Sequence, residues 1–219
     1  GEGRWIIDGQ QTTLQSKRSL VNLSTSEYID FEGFEIRHSN DRGLSFYQSK
    51  HLRIAQNNVH HTYNRALGGS GDHILIEKNH VSHASLINEN RKMCSGNTCA
   101  GGWPAAVSTI FWWDTGAWSK DIKFRENLVH DVWGEGIDAL YLDGGEIVGN
   151  TVYNAFSVNI YLDKARHILV DRNHLYSTDP AYYRADKPHP ANGISFSVEA
   201  ATPQSTLPTE EITISNNLI

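Results

Sequence analysis

Cysteine and methionine are nearly missing from this chain: two and one, respectively, in 219 residues. Two thiols alone make a poor zinc site. No run of 18 apolar residues occurs, so no helix is expected to span a membrane. Positive charge is also in deficit, with 19 basic against 25 acidic residues and a net charge of −6. That balance argues against nucleic acid as the main partner. Cys94 and Cys99 share one short loop, CSGNTC. A local disulfide is the favoured reading and two free thiols the alternative.

What the chain has instead is repetition. Asn57, Asn79, Asn127, Asn150, Asn173 and Asn217 each occupy the same place in a short phrase: apolar, any, apolar, any, any, Asn, any, apolar. It reads LRIAQNNV, ILIEKNHV, IKFRENLV, GEIVGNTV, ILVDRNHL and ITISNNLI, and IDFEGFEI is a further copy with Phe34 in the Asn place. From Phe34 onward the gaps are 23, 22, 48, 23, 23 and 44 residues. A period of 22–23, broken twice by roughly one extra period, is the mark of a solenoid.

Apolar residues alternate within the phrase, which is strand periodicity. A second strand precedes it (GLSFY, STIFWW, IDALYL, VNIYL, ISFSV) and a short third one follows the Asn. Three short strands in 22–23 residues are too little chain for a βαβ unit, which needs about 30 or more. They suffice for one triangular coil whose strands pair with those of the next coil about 4.8 Å away. The Asn then falls at a turn, where it tolerates left-handed backbone and can bond along the stack to the next Asn. The chain closely resembles the right-handed parallel β-helix, pectate-lyase-like superfamily over nearly all of residues 4–219. The resemblance implies an all-β solenoid of about 8 coils with an Asn ladder, one domain spanning 1–219. The text opens at GEGRWIIDG already strand-like and stops at NNLI in mid-coil, so a portion of a longer chain is expected. The family and the disulfide together point to a secreted, periplasmic or cell-surface protein. A monomer is expected.

Both long gaps fall in one turn of the coil, which swells at about 84–104 and 178–191. Loops on one edge of a repeat array mark its binding face. Three coil steps separate the insertions, so their roots should stand roughly 14–15 Å apart, as two walls of a trench. The short turns at 131–135 and 154–157 would form its floor. Trp133 lies on this floor. Asp138 and Asn159, then Tyr141 and Tyr161 with Trp112 one coil earlier, read as a row of polar groups and rings able to hold sugar. Asp114, Asp143, Asp163 and Glu199 place carboxylates on successive coils, where a calcium ion would relieve their repulsion.

Eleven histidines are many for this length. At the variable turn the coils read His38, His61, His83, Asp131, Asn154, and one residue earlier Arg37, His60, Ser82, His130, Tyr153. Strand alternation should turn only one of these columns outward. His61 and His83 beside Asp131 suit a general base with its orienting carboxylate, a metal site, or a plain polar stack. Arg37, Arg42, Arg65, Arg91, Lys92, Arg184 and Lys187 gather on the same edge and suit a uronate carboxylate, or simply solvated loops. In WGEGID, Glu135 and Asp138 stand three residues apart across a turn and can divide acid and base roles.

Three readings follow. A polysaccharide lyase, or a uronate epimerase, would use His83 or His61 as base, with Arg65 and Arg184 or Lys187 as carboxylate clamp and Asp131 or Glu135 as cation ligands. A glycoside hydrolase would use Glu135 and Asp138. A carbohydrate-binding module would need only the rings. The arginine motifs of pectate lyases are absent, as are the paired-Asp and GHG motifs of polygalacturonase relatives. The resemblance is therefore to the scaffold, and the site must be argued from its own residues.

Overall fold

The computed structural model describes residues 5–10, 18–96, 98–110, 117–184, 189–199 and 208–219. Among these residues, apolar alternation builds two parallel sheets that face each other across a shared core. The first has seven strands, in the order Trp5–Asp8, Phe34–Ser39, Asn58–Thr62, His80–Ser82, Leu128–Val132, Thr151–Ala155 and His174–Tyr176. The second has ten, including Arg42–Ala55, Leu67–Glu77, Ala105–Thr109, Glu135–Val148, Val158–Asp171 and Asn192–Ser197. Every pairing within these two sheets is parallel, so the chain is a parallel β-helix.

The core is a set of in-register columns. Ile36, Val59, Val81, Val129, Val152 and Leu175 stack along the first sheet, all buried. Leu44, Leu67, Val107, Ile137 and Ile160 do the same along the second. Stacking like on like lets each coil bury its apolar face only against its neighbours.

Two strands of the expected three run on as one ladder. Arg42–Ala55 bends at left-handed Gln48 and His51, and Val158–Asp171 bends likewise at Lys164 and His167. The bends turn the chain without breaking its pairing to the next coil.

The Asn ladder is present. Each Asn donates Nδ2 to the Oδ1 of the next at 2.8–3.1 Å, from Asn57 through to Asn217. The same Oδ1 accepts the backbone N–H of the preceding Asn. Phe34, in the Asn place, still donates its backbone N–H to Asn57 Oδ1 at 3.0 Å. One detail of the expectation is corrected: the left-handed residue is the one before the Asn. Gln56, Lys78, Glu126, Gly149, Arg172 and Asn216 have φ between 52° and 69°. They throw the following side chain inward, so the amide lies in the core and not on the turn.

Cys94 and Cys99 form a disulfide across a small antiparallel pair, Cys94–Ser95 with Thr98–Cys99, inside the first insertion. No helix is long and apolar enough to cross a membrane, among the described residues.

Candidate active site

On the outer face of the second sheet, register sets Ser45, Gly68, Ser108, Asp138, Tyr161 and Ser195 in one column. This corrects the alignment read from sequence. The 23-residue step carries Asp138 onto Tyr161, and Asn159 falls opposite Gly136, whose added Cβ would meet Asn159 O at 2.4 Å. Gly68 has a specific use here. A Cβ at Gly68 would come within 2.7 Å of Arg65 Cδ, so its absence lets Arg65 lie across the sheet toward Asp138.

Glu135 and Asp138 are 8% and 3% exposed, far more buried than a turn pair read from sequence. Their carboxyls share a hydrogen bond. Burial raises Glu135 to about 7; the bond from Asp138 works against this rise, and the charge of Glu199 adds to it. Burial, and then the adjacent Glu135 charge, raise Asp138 well above the carboxylate range. Asp138 is therefore the proton holder of the pair and Glu135 the group that ionises near neutrality. Two arginines flank them: Arg65 acts on Asp138, and Arg184 on Glu135. Burial pulls the Arg65 guanidinium below its ordinary range. Its Nε and Nη1, with Asp138 Oδ1, Asn159 Oδ1 and Ser108 Oγ, are sealed from solvent without hydrogen-bond partners among the described residues. Unpaired buried polar atoms are rare, and Ser108 and Arg65 both stand beside Asp138.

The column ends in a second acidic group. Asp163 accepts the Glu199 backbone N–H at 2.9 Å, and burial lifts its carboxyl with Lys164 beside it. Lys164 is 0% exposed, 3.4 Å from Asp163 Oδ1, with its ammonium 5.1 Å from the centre of the Tyr141 ring. Tyr161 donates its hydroxyl to Glu199 Oε1 at 2.8 Å, and burial keeps that phenol protonated. Sequence reasoning missed Lys164; a lysine among the apolar letters of VNIYLDKARHILV was the available signal.

Among the described residues the expected ring row does not form. Tyr141 is left-handed (φ 51°), and its buried ring meets Trp118 edge-on at 6.2 Å, so it does not continue the line of Tyr161. Nor do the acids form one column, since Asp143 stands opposite Arg166 and pairs with it at 2.7 Å. Trp112, Asp114 and Lys187 lie outside the described residues.

The two insertions are joined. Arg91 of the first insertion donates Nη2 to Tyr183 O of the second at 2.6 Å. Beneath this bridge Trp133, 7% exposed, packs on Phe156 at 5.6 Å and Tyr182 at 4.8 Å. Arg184 stacks over Trp103 at 4.3 Å. The two walls lean together because their aromatic residues share one apolar cluster.

His61, His83 and Asp131 sit elsewhere, on the first sheet. Both candidate columns face outward there, because His38, His61, His83, Asp131 and Asn154 are left-handed (φ 49–55°) and break the alternation. His61 and His83 stack at 4.7 Å. Burial, then His83 and His60, lower His61. Asp131 takes His130 Nδ1 at 2.8 Å and Asn154 Nδ2 at 2.8 Å, one on each oxygen. Among the described residues no three His, Cys, Asp or Glu side chains converge on a metal site. The basic edge is likewise divided: Arg37 pairs with Asp8 and Glu35, Arg42 with Tyr47, Lys92 with Glu89.

The molecule thus combines a parallel β-helix with a buried acid–base cluster on one sheet. No protein-family model matches the sequence, and no curated protein matches it. Among solved structures, the periplasmic alginate epimerase AlgG is similar, with a TM-score of 0.59 at 13% identity over 90% of this chain and 46% of that one. Its double mutant gives 0.58 at 13% identity over 90% and 47%. The Dettilon tailspike protein (gp208) gives 0.49 at 15% identity over 91% and 48%. The chain spans about half the length of these structures, and what it shares with the epimerase is the fold.

Proposed function

We propose that this chain carries the acid–base site of an extracytoplasmic enzyme acting on an acidic polysaccharide, abstracting the proton beside a uronate carboxylate. The supporting observation is the hydrogen-bonded pair Glu135–Asp138 set between Arg65 and Arg184. A uronate carboxylate meets the arginines, which stabilise the charge that develops on it as the adjacent carbon loses its proton. Glu135, ionising near neutrality, is the base, and Asp138 holds the proton that keeps it placed. The C–H electron pair then either expels the glycosidic oxygen, which takes a proton, or recovers a proton on the opposite face. The first outcome is a lyase and the second an epimerase. Tyr161, protonated and beside Glu199, is the candidate proton donor for either.

The geometry favours this over glycoside hydrolysis. Hydrolases separate their two carboxyls by about 5–5.5 Å or about 6.5–9.5 Å across the scissile bond. Here the two carboxyls are placed to share one hydrogen bond. The disulfide and the fold shared with a periplasmic epimerase support placement outside the cytoplasm.

The test is a panel of uronate polymers, alginate included, followed by ultraviolet absorbance, by reducing ends and by proton NMR in heavy water. Rising absorbance identifies a lyase; deuterium entry at the uronate without chain cleavage identifies an epimerase. Glu135→Gln and Asp138→Asn should each lower turnover at least a hundredfold, as loss of an acid–base group does. New reducing ends without absorbance would instead support hydrolysis. Binding without any turnover would support a carbohydrate-binding module.

A further inference from the structure

Lys164 is buried beside the proposed site, and the chemistry drawn above gives it no task. Its side chain is 0% exposed, and its ammonium lies 3.4 and 3.5 Å from the two oxygens of Asp163. Register explains the placement. Leu140 pairs with Asp163 and Leu142 with Ala165, so the left-handed bends at Tyr141 and Lys164 stand side by side on adjacent coils. The ammonium comes to 5.1 Å from the centre of the Tyr141 ring. An apolar side chain of like volume fills such a space without desolvating a charge, so packing alone does not account for a lysine here.

From Asp163 a short line of contacts leads to the carboxyl pair. Asp163 Oδ1 accepts the Glu199 backbone N–H at 2.9 Å, and Glu199 Oε1 accepts the Tyr161 hydroxyl at 2.8 Å. Tyr161, half-buried, stands opposite Asp138 in the register of the second sheet. Burial lifts the Asp163 carboxyl, and the Glu199 N–H and then Lys164 oppose that lift. Without the ammonium, a carboxyl this buried takes up a proton more readily, and its charge-assisted bond to Glu199 weakens. Glu199 is exposed and lies past the end of Asn192–Ser197, so the bond to Asp163 fixes its backbone where the ladder has stopped.

We propose that Lys164 is a positioning residue for Tyr161: through Asp163 and the Glu199 backbone it fixes the carboxylate that orients the phenol. The inference rests on the reading above, in which that phenol donates the proton. Lys164 itself is sealed from solvent and touches no substrate.

Fluorine NMR on the chain labelled with 3-fluorotyrosine reads the phenol without any substrate, the Tyr161 signal being the one that Tyr161→Phe removes. Lys164→Met should shift that signal, and an unmoved signal overturns the inference. Where Lys164→Met does not fold, Asp163→Asn cuts the same link from its other side and is read by the same criterion. On the polymer that responds in the panel, Lys164→Met should lower kcat about tenfold and leave KM within about twofold. Added to Tyr161→Phe it should cost less than about twofold more, because the phenol it positions is already gone. A full tenfold loss in that background would mean that Lys164 acts through the carboxyl pair or the fold, and overturns the inference. A shifted signal with native turnover in Tyr161→Phe supports the placement of the phenol by Lys164 and overturns instead the reading of Tyr161 as proton donor.

Discussion

Glu135 and Asp138 show how far a residue pair can be read from letters. Their spacing in WGEGID was legible, since three residues across a bend bring two side chains to one face. Their burial was not, because groups that surround them, Arg65 and Arg184 among them, lie tens of residues away in the chain. Burial gives the pair a stability signature with a definite sign. Glu135 keeps its proton up to about pH 7 when folded but loses it from 4.5 when unfolded. Between those values the folded state binds more protons, so stability is full below about pH 4.5 and falls as pH rises towards 7. The span corresponds to about 3 kcal/mol at most, at about 1.36 kcal/mol per pH unit. Urea unfolding of the native chain across this range should show the decline, and Glu135→Gln should make it shallower, leaving the share that the raised Asp138 carboxyl contributes. An equally steep decline in the variant would mean that the carboxyl is not protonated when folded. The same ionisation implies that turnover rises through about pH 7 if Glu135 is the base.

At the scale of the coil, the Asn ladder was legible because its letter recurs, whereas the left-handed residue before it was not. Gln56, Lys78, Glu126, Gly149, Arg172 and Asn216 share a backbone conformation and almost no chemistry. The conformation is imposed by the ladder: Asn127 Oδ1 accepts from Asn79 N and Nδ2, and Asn127 Nδ2 donates to Ile76 O and Asn150 Oδ1. Asn127→Ala removes all four bonds from a dry core and should cost about 3 kcal/mol, since each buried group left unpaired costs about 1–3. A loss under about 1 kcal/mol in denaturant unfolding would show that the ladder is ornamental. Glu126 provides the matching backbone test. Its ion pair with Lys78, 3.8 Å and well exposed, is worth little. Glu126→Gly should be neutral within about 0.5 kcal/mol, relief of the left-handed strain offsetting the entropy of glycine. Glu126→Val should cost about 1–2 kcal/mol, because a β-branched residue resists that conformation most.

Across the whole molecule, two insertions rooted three coils apart meet over the solenoid, which spacing alone could not foretell. The sequence located both insertions and the turn column that bears them. It could not show that Trp103, Trp133, Phe156 and Tyr182 would form one cluster, because aromatic letters in separate loops carry no record of contact. That cluster and the Arg91–Tyr183 bond hold Arg184 over Trp103, and Arg184 is one of the two cations beside the carboxyl pair. The insertions therefore act on the site through the placement of one guanidinium. Arg91→Ala removes the bond between the walls without touching Glu135, Asp138 or Arg65. If Arg184 is the uronate clamp, this variant should raise KM several-fold and leave kcat within about twofold, since it loosens binding and not the base. Arg184→Ala should lower kcat as well, because the same cation stabilises charge in the transition state. Steady-state kinetics on the polymer that responds in the panel separate the two. Equal losses of kcat in both variants would mean that the bridge shapes the carboxyl pair itself, and the insertions would then belong to the catalytic core and not to the substrate's path.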